Sequence, residues 1–217
     1  MERRQVQAPC SMCVRKTWHE ILHETTAHEE HQIETHVMIR CAGCGTISLA
    51  HQIRHLPNGE VDHSYYPSPV SRKKPSWFGE MALGWLGGVG ADKLAELLHE
   101  IYQAVDGGQH RLAAMGIRAL LEQVMVAKVG DQGTFEQKMQ KFQDEGYISL
   151  IQRDAMRETI EVGHAAMHRA FAPSEEELSK ALDIVEGIMA AIYDHSQAAT
   201  TLAKRVPPKA TKGKKTP

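Results

Sequence analysis

Apolar and polar positions change rhythm near the middle of the chain, and the change separates two kinds of structure. In the N-terminal part the rhythm is two. Ile33, Thr35, Val37 and Ile39 alternate with Glu34, His36 and Met38, and Ile47, Leu49 and Ile53 continue the period. Such alternation predicts short antiparallel strands with one buried face. From Asp92 onward the rhythm is helical. Leu94, Leu97, Leu98, Ile101, Tyr102 and Val105 form one stripe, ended by Gly107-Gly108. A second helix is predicted from about His110 to Val129, with Leu112, Ile117, Leu120, Leu121 and Val124 inward. Phe135 to Glu145 makes a shorter third, closed by Gly146, and about Ser149 to Arg169 a fourth. Ser174 with Glu177 three residues later is a capping box, and the fifth helix follows through Leu182, Val185, Ile188, Met189 and Ile192 to about His195.

Between these parts the rhythm stops. Pro57, Pro67, Pro69 and Pro75 exclude a regular helix over 56–78 and favour an extended strap. Residues 76–90, with Trp77, Phe78, Trp85 and five glycines, fit either a helix or an ordered loop whose aromatics pack the two modules together. The predicted fold class is α+β, mainly α. A small β-rich module covers 1–55 and a proline/glycine-rich strap 56–90. A bundle of about five helices covers 91–198, and a disordered basic tail 199–217.

Composition narrows the class. Of 217 residues, 42% are hydrophobic and 24% charged, which excludes wholesale disorder. No apolar stretch approaches the roughly 18 residues that a membrane helix needs. Met1-Glu2-Arg3-Arg4-Gln5 leads towards Cys10 without an apolar signal core, so a cytoplasmic protein with no membrane association is expected. The formal charge of −2 hides an uneven distribution: residues 204–217 hold six basic groups and no acid, leaving 19 basic and 27 acidic groups in the rest, or −8. An acidic body is a poor nucleic-acid clamp. The tail reads as a solubilising end, with RNA, DNA or an acidic partner as the other possibility.

The four cysteines carry the clearest chemistry. Cys10-Ser-Met-Cys13 and Cys41-Ala-Gly-Cys44 are two C-x-x-C knuckles separated by 27 residues, the pattern of a zinc ribbon. Each knuckle points two thiolates at one spot, and two knuckles complete a tetrahedron. Gly43 and Gly45 are expected to relieve crowding near the sulfurs. Two disulfides are disfavoured without a secretory signal, and redox C-x-x-C motifs come singly at a helix start. The expected cofactor is one structural Zn2+, since four thiolates close the coordination sphere. Eight of the 13 histidines (His19, His23, His28, His31, His36, His51, His55 and His63) precede residue 64. A second metal site could be built from them, but their spacing follows no ligand pattern, and a hydrated surface is the simpler reading.

The fourth helix holds the other candidate. On a wheel of about 100° per residue, Glu161 lies near 40°, His164 near −20° and His168 near 20° from Arg157. Met156, Ile160 and Met167 line one flank of this polar stripe. The stripe reads either as a solvent face with an Arg157–Glu161 pair or as a face that meets something. On the second helix, Arg118–Glu122 reads first as a structural ion pair and second as a ligand contact. The apolar flank predicts a homodimer through the helical region.

The layout resembles the bacterial domain of unknown function 4145, a helical HEPN-like group. The matching stretches are the Cys10–Cys44 ribbon, the Tyr66-Pro67 strap, Ala113 to Glu122, and Gly163-His164-Ala165-Ala166-Met167-His168. The resemblance implies an HEPN-like bundle behind the zinc ribbon. The HEPN ribonuclease signature is Arg, then Asn, Asp or His, then three residues and His; its last two positions fall here on His164 and His168, and the arginine position on Gly163. One implied function is a zinc-binding regulatory or scaffolding protein that binds protein or nucleic acid, in phage defence or a toxin–antitoxin-like system. The other is a metal-independent endoribonuclease. In it His168 is general acid or base, His164 its partner or phosphate orienter, and Arg157 the cation that Gly163 cannot supply. The binding module is favoured. A DNA-binding ribbon ranks below both, because Glu20, Glu24, Glu29, Glu30 and Glu34 make the ribbon segment acidic.

Overall fold

The N-terminal alternation becomes one antiparallel sheet in which each strand pairs with its sequence neighbours. The strands are β1 (Gln5–Cys10), β2 (Arg15–His28), β3 (Gln32–Cys41), β4 (Ile47–His55) and β5 (Val61–Tyr66), in spatial order 1-2-3-4-5. The computed structural model describes residues 4–70, 72–84, 90–131 and 133–207. Short connections between successive strands permit only antiparallel pairing.

Register decides what this sheet buries. Ile39 lies opposite Ser48 and Val37 opposite Ala50, and residues directly opposite share a face. Val37, Ile39, Ala50 and Ala8 form the buried cluster, with Val6, Ile21 and Tyr65 packed against it. β4 keeps period two, but its phase is inverted. The larger residues Ile47 and Leu49 sit on the other face, and Ile47 is 54% exposed. In β2 a bulge between Ile21 and His23 interrupts the alternation, so this strand shows no continuous period of two. β5 corrects the boundary at residue 55. Its sequence, Val-Asp-His-Ser-Tyr-Tyr, is polar and mostly exposed, yet it pairs with β4 from Arg54 to Leu49.

The chain divides into two compact units, one of residues 1–74 with 105–109, the other of 75–104 with 110–217. The second unit is helical: α1 (Phe78–Ala82), α2 (Ala91–Asp106), α3 (His110–Val129), α4 (Phe135–Asp144), α5 (Leu150–His168), α6 (Glu175–Met189) and α7 (Ser196–Arg205), the last two joined by a π-helical turn, Ala190–His195. In short α1, Met81 is buried, and Phe78 meets Tyr102 edge-on at 5.8 Å. Trp85 lies outside the described residues. Capping boxes start α4 at Thr134, α5 at Ser149 and α6 at Ser174, which accounts for the sharpness of those boundaries. Leu112 corrects the inward set of α3: it is exposed, and Ala113 and Ala114 are buried instead.

The core of this unit holds Leu98, Ile101, Ile117, Leu120, Leu121, Met125, Met139, Phe142, Met156 and Leu178, all nearly inaccessible. Met156 and Ile160, expected on a dimer flank, are buried within it, while Met167 is exposed. Residues 199–205, expected in the disordered tail, continue α7 with no buried residue. Lys209, Lys212, Lys214 and Lys215 lie outside the described residues. Among the described residues no helix is long and apolar enough to cross a membrane.

Candidate functional site

Both cysteine knuckles make the same turn. The N–H of Val14 donates to the carbonyl of Cys10 at 2.9 Å, and that of Gly45 to Cys41 at 3.0 Å. Val14 and Gly45, each directly after the second cysteine of its knuckle, have φ of 51° and 77°. This is the left-handed region that glycine enters freely and a β-branched residue enters at a cost. Glycine at 45 therefore serves the backbone sign. A Cβ there would meet nothing within 4 Å, and one at Gly43 only ordinary contacts, so neither glycine relieves crowding.

The turns bring four sulfurs together. Cys10 Sγ and Cys44 Sγ are 3.5 Å apart, and Cys13 Sγ and Cys41 Sγ 3.9 Å. A tetrahedral ion with thiolate bonds of about 2.3 Å needs edges of about 3.8 Å. Cys10, Cys13, Cys41 and Cys44 thus lie close enough together to hold one metal ion. The backbone N–H groups of Cys13 and Gly43 donate to the sulfurs of Cys10 and Cys41 at 3.4 Å. The hydroxyls of Thr17 and Thr46 lie 3.2 Å from Cys41 Sγ and Cys44 Sγ. These two threonines had no sequence signal: Thr17 reaches Cys41 only because β2 pairs with β3.

Polar neighbours split the four thiols. The Thr17 hydroxyl, helped by the N–H groups of Cys44 and Gly43, pulls Cys41 down to about 5, and Thr46 lowers Cys44. Burial raises Cys10, and the Cys44 sulfur beside it pushes Cys13 up to about 12. A divalent cation taking all four sulfurs as thiolates would displace the protons they hold.

The stripe on α5 assembles only in part. His164 and His168 stand one turn apart with ring centroids 4.6 Å from each other. Arg157 turns to α4, where its Nη2 meets Glu136 Oε1 at 2.8 Å, a carboxylate that also takes Arg153. The two guanidinium groups hold Glu136 below the usual carboxylate range. Glu161 is bound by Arg169 and lies 3.8 Å from His164 Nδ1, so the Arg157–Glu161 pair does not form. Nor does Arg118–Glu122. Glu122 and Asp131 take the buried Lys138 at 2.9 and 3.0 Å, and Arg118 lies over the Phe135 ring at 5.6 Å.

Gly163 has a different role from the residues around it. It is buried where α5 crosses α3, and a Cβ there would meet the Ala114 carbonyl oxygen at 2.6 Å and Arg118 Cβ at 2.7 Å. The backbones approach too closely for any side chain. Beside this crossing, the outer face of α5 carries an open groove of about 470 Å³, lined by Glu158, Glu161, Val162, Ala165, Arg169 and Phe171.

Residues 99–206, from within α2 to the end of α7, match the model of the family described as Domain of unknown function (DUF4145). The match covers helices and none of the sheet. No curated protein and no solved structure matches the chain.

Proposed function

We propose that this chain is a zinc-stabilised scaffold whose HEPN-like helical unit binds protein and does not cleave RNA. Cys10, Cys13, Cys41 and Cys44 hold one structural Zn2+, for which four thiolates form a closed sphere without an open position for substrate. The observation that carries the non-catalytic reading is Gly163. The position where the ribonuclease motif has arginine is filled by the α3 backbone. Arg157, the substitute cation, is committed to Glu136 and Asp154. A cyclising ribonuclease needs a cation beside its acid and base to meet the charge developing on phosphate.

The partner reading follows from the α5 groove. Val162, Ala165 and Phe171 offer apolar surface, and with Glu161 paired to Arg169 the carboxylate of Glu158 is left to disfavour a phosphate backbone. Acid and base in one groove are self-complementary about a two-fold axis, so a second copy of the chain is the first occupant. The ribonuclease alternative is kept because His164 and His168 adjoin.

Labelled single-stranded RNA incubated with the zinc-loaded protein in buffer without free divalent ions decides between them. The scaffold reading expects intact RNA. Fragments with 2′,3′-cyclic phosphate ends that vanish in His168→Ala would overturn it. Sedimentation should give a dimer that Val162→Glu and Phe171→Glu dissociate; a wild-type mass near 24.2 kDa at all concentrations removes the second copy as occupant.

A further inference from the structure

The histidines of the first unit follow no ligand spacing along the chain, but the sheet places two of them face to face. His36 on β3 lies directly opposite His51 on β4. Glu34, two residues before His36, projects from the same face of β3. That face is the one opposite Val37, Ile39 and Ala50. The two rings are parallel within 7° and their centroids 4.4 Å apart. Both Nε2 atoms approach one carboxylate oxygen: His51 Nε2 lies 2.6 Å and His36 Nε2 3.8 Å from Glu34 Oε1. One donor atom from each residue lies within 4.8 Å of the others.

The cluster is partly withdrawn from water, with side-chain exposures of 17% for His51, 29% for Glu34 and 41% for His36. The row of residues across it is polar from β2 to β5: Thr25 faces His36 from β2, and Ser64 faces His51 from β5. A plain His51–Glu34 hydrogen bond accounts for one imidazole. It leaves the second stacked on the first, its Nε2 3.8 Å from the same oxygen and without a hydrogen bond to it. A divalent cation satisfies all three donors at once.

We propose that Glu34, His36 and His51 form a second metal site, open and separate from the four-cysteine site, for a borderline divalent ion such as zinc. Two imidazoles and one carboxylate suit such ions and leave positions for water. Bonds of about 2.0–2.2 Å require donor separations of roughly 3.4 Å in a tetrahedron. The His36–Glu34 distance is close to that, and the His51–Glu34 distance must widen. Both adjustments are rotations about χ2, a soft torsion. Five residue steps of β3 lead from His36 to Cys41, roughly 17 Å of strand, and the two sites share no ligand.

The full chain, loaded at the cysteine site and cleared of weakly held metal with a mild chelator, is titrated with Co2+ by calorimetry. Imidazole signals are followed by NMR with Zn2+ added in parallel. One further equivalent should bind, shifting two histidine ring spectra. His36→Ala and His51→Ala should abolish it, and Glu34→Gln should weaken it more than about tenfold, since loss of an outer partner alone costs that much. Retained cysteine-bound metal shows that each variant is folded, and Glu34→Gln keeps the side-chain shape if an alanine variant is not. No further equivalent in wild type, unchanged binding in the folded variants, or equal loss in His28→Ala and His63→Ala would overturn the proposal. The last outcome would mean that histidines in general, and not this cluster, collect metal.

Discussion

The two units reach stability by different means. The sheet unit buries a small cluster, Ala8, Val37, Ile39 and Ala50, with three partly buried neighbours. The helical unit buries Phe142, Leu120, Leu121, Met125, Met139, Met156 and Leu178, nearly all without access to water. At roughly 1.5–3 kcal/mol per fully buried large apolar side chain, the second set sustains a fold and the first does not. On the proposed reading, metal–thiolate bonds between the knuckles of the β1–β2 and β3–β4 turns would supply the difference in the sheet. A small module can therefore delegate to four ligands what a bundle distributes over many apolar contacts.

The comparison breaks most completely at the cysteines. Cys41→Ser should cost the sheet unit about 10 kcal/mol or more, the scale of structural zinc binding. Metal analysis should find the equivalent gone and the β signal lost, with the helical circular dichroism largely kept. Equal loss of both signals would mean that the units do not differ in this way. The reciprocal change is Phe142→Ala, expected to destabilise the helical unit by about 3–5 kcal/mol in denaturant unfolding while stoichiometric metal stays bound.

Gly163→Ala should cost about 1–3 kcal/mol by forcing α3 and α5 apart, and Gly163→Arg should unfold the unit without creating RNA cleavage. A folded, cleaving Gly163→Arg variant would contradict the packing role. The smallest effect concerns the knuckles themselves. Val14→Gly should stabilise the metal-bound sheet unit by about 1 kcal/mol, because valine at φ 51° carries a left-handed penalty that Gly45 avoids. Thermal unfolding that falls instead of rising would show that Val14 contributes packing worth more than its strain.

Elements were legible where local chemistry speaks. The three capped helices begin within one residue of the positions read from the sequence, because a capping box acts over four residues. All four cysteines converge as their spacing implied. β5 was not legible, since an edge strand with a polar, exposed sequence has no alternation to show. β2 was hidden by its bulge.

The sequence by itself determined the kinds of element, the starts of the capped helices, the change from strands to helices, and the convergence of the four sulfurs. Each of these rests on residues a few positions apart or on a short motif. Only the tertiary structure decided that Ser48 and Ala50, not Ile47 and Leu49, face the sheet core. It also decided that Arg157 belongs to Glu136, that Gly163 is a helix crossing, and that Glu34, His36 and His51 meet. Strand register and helix contact are set by packing between segments far apart in the chain. A residue's neighbours across a sheet or a helix pair leave no periodic trace in its own stretch of sequence.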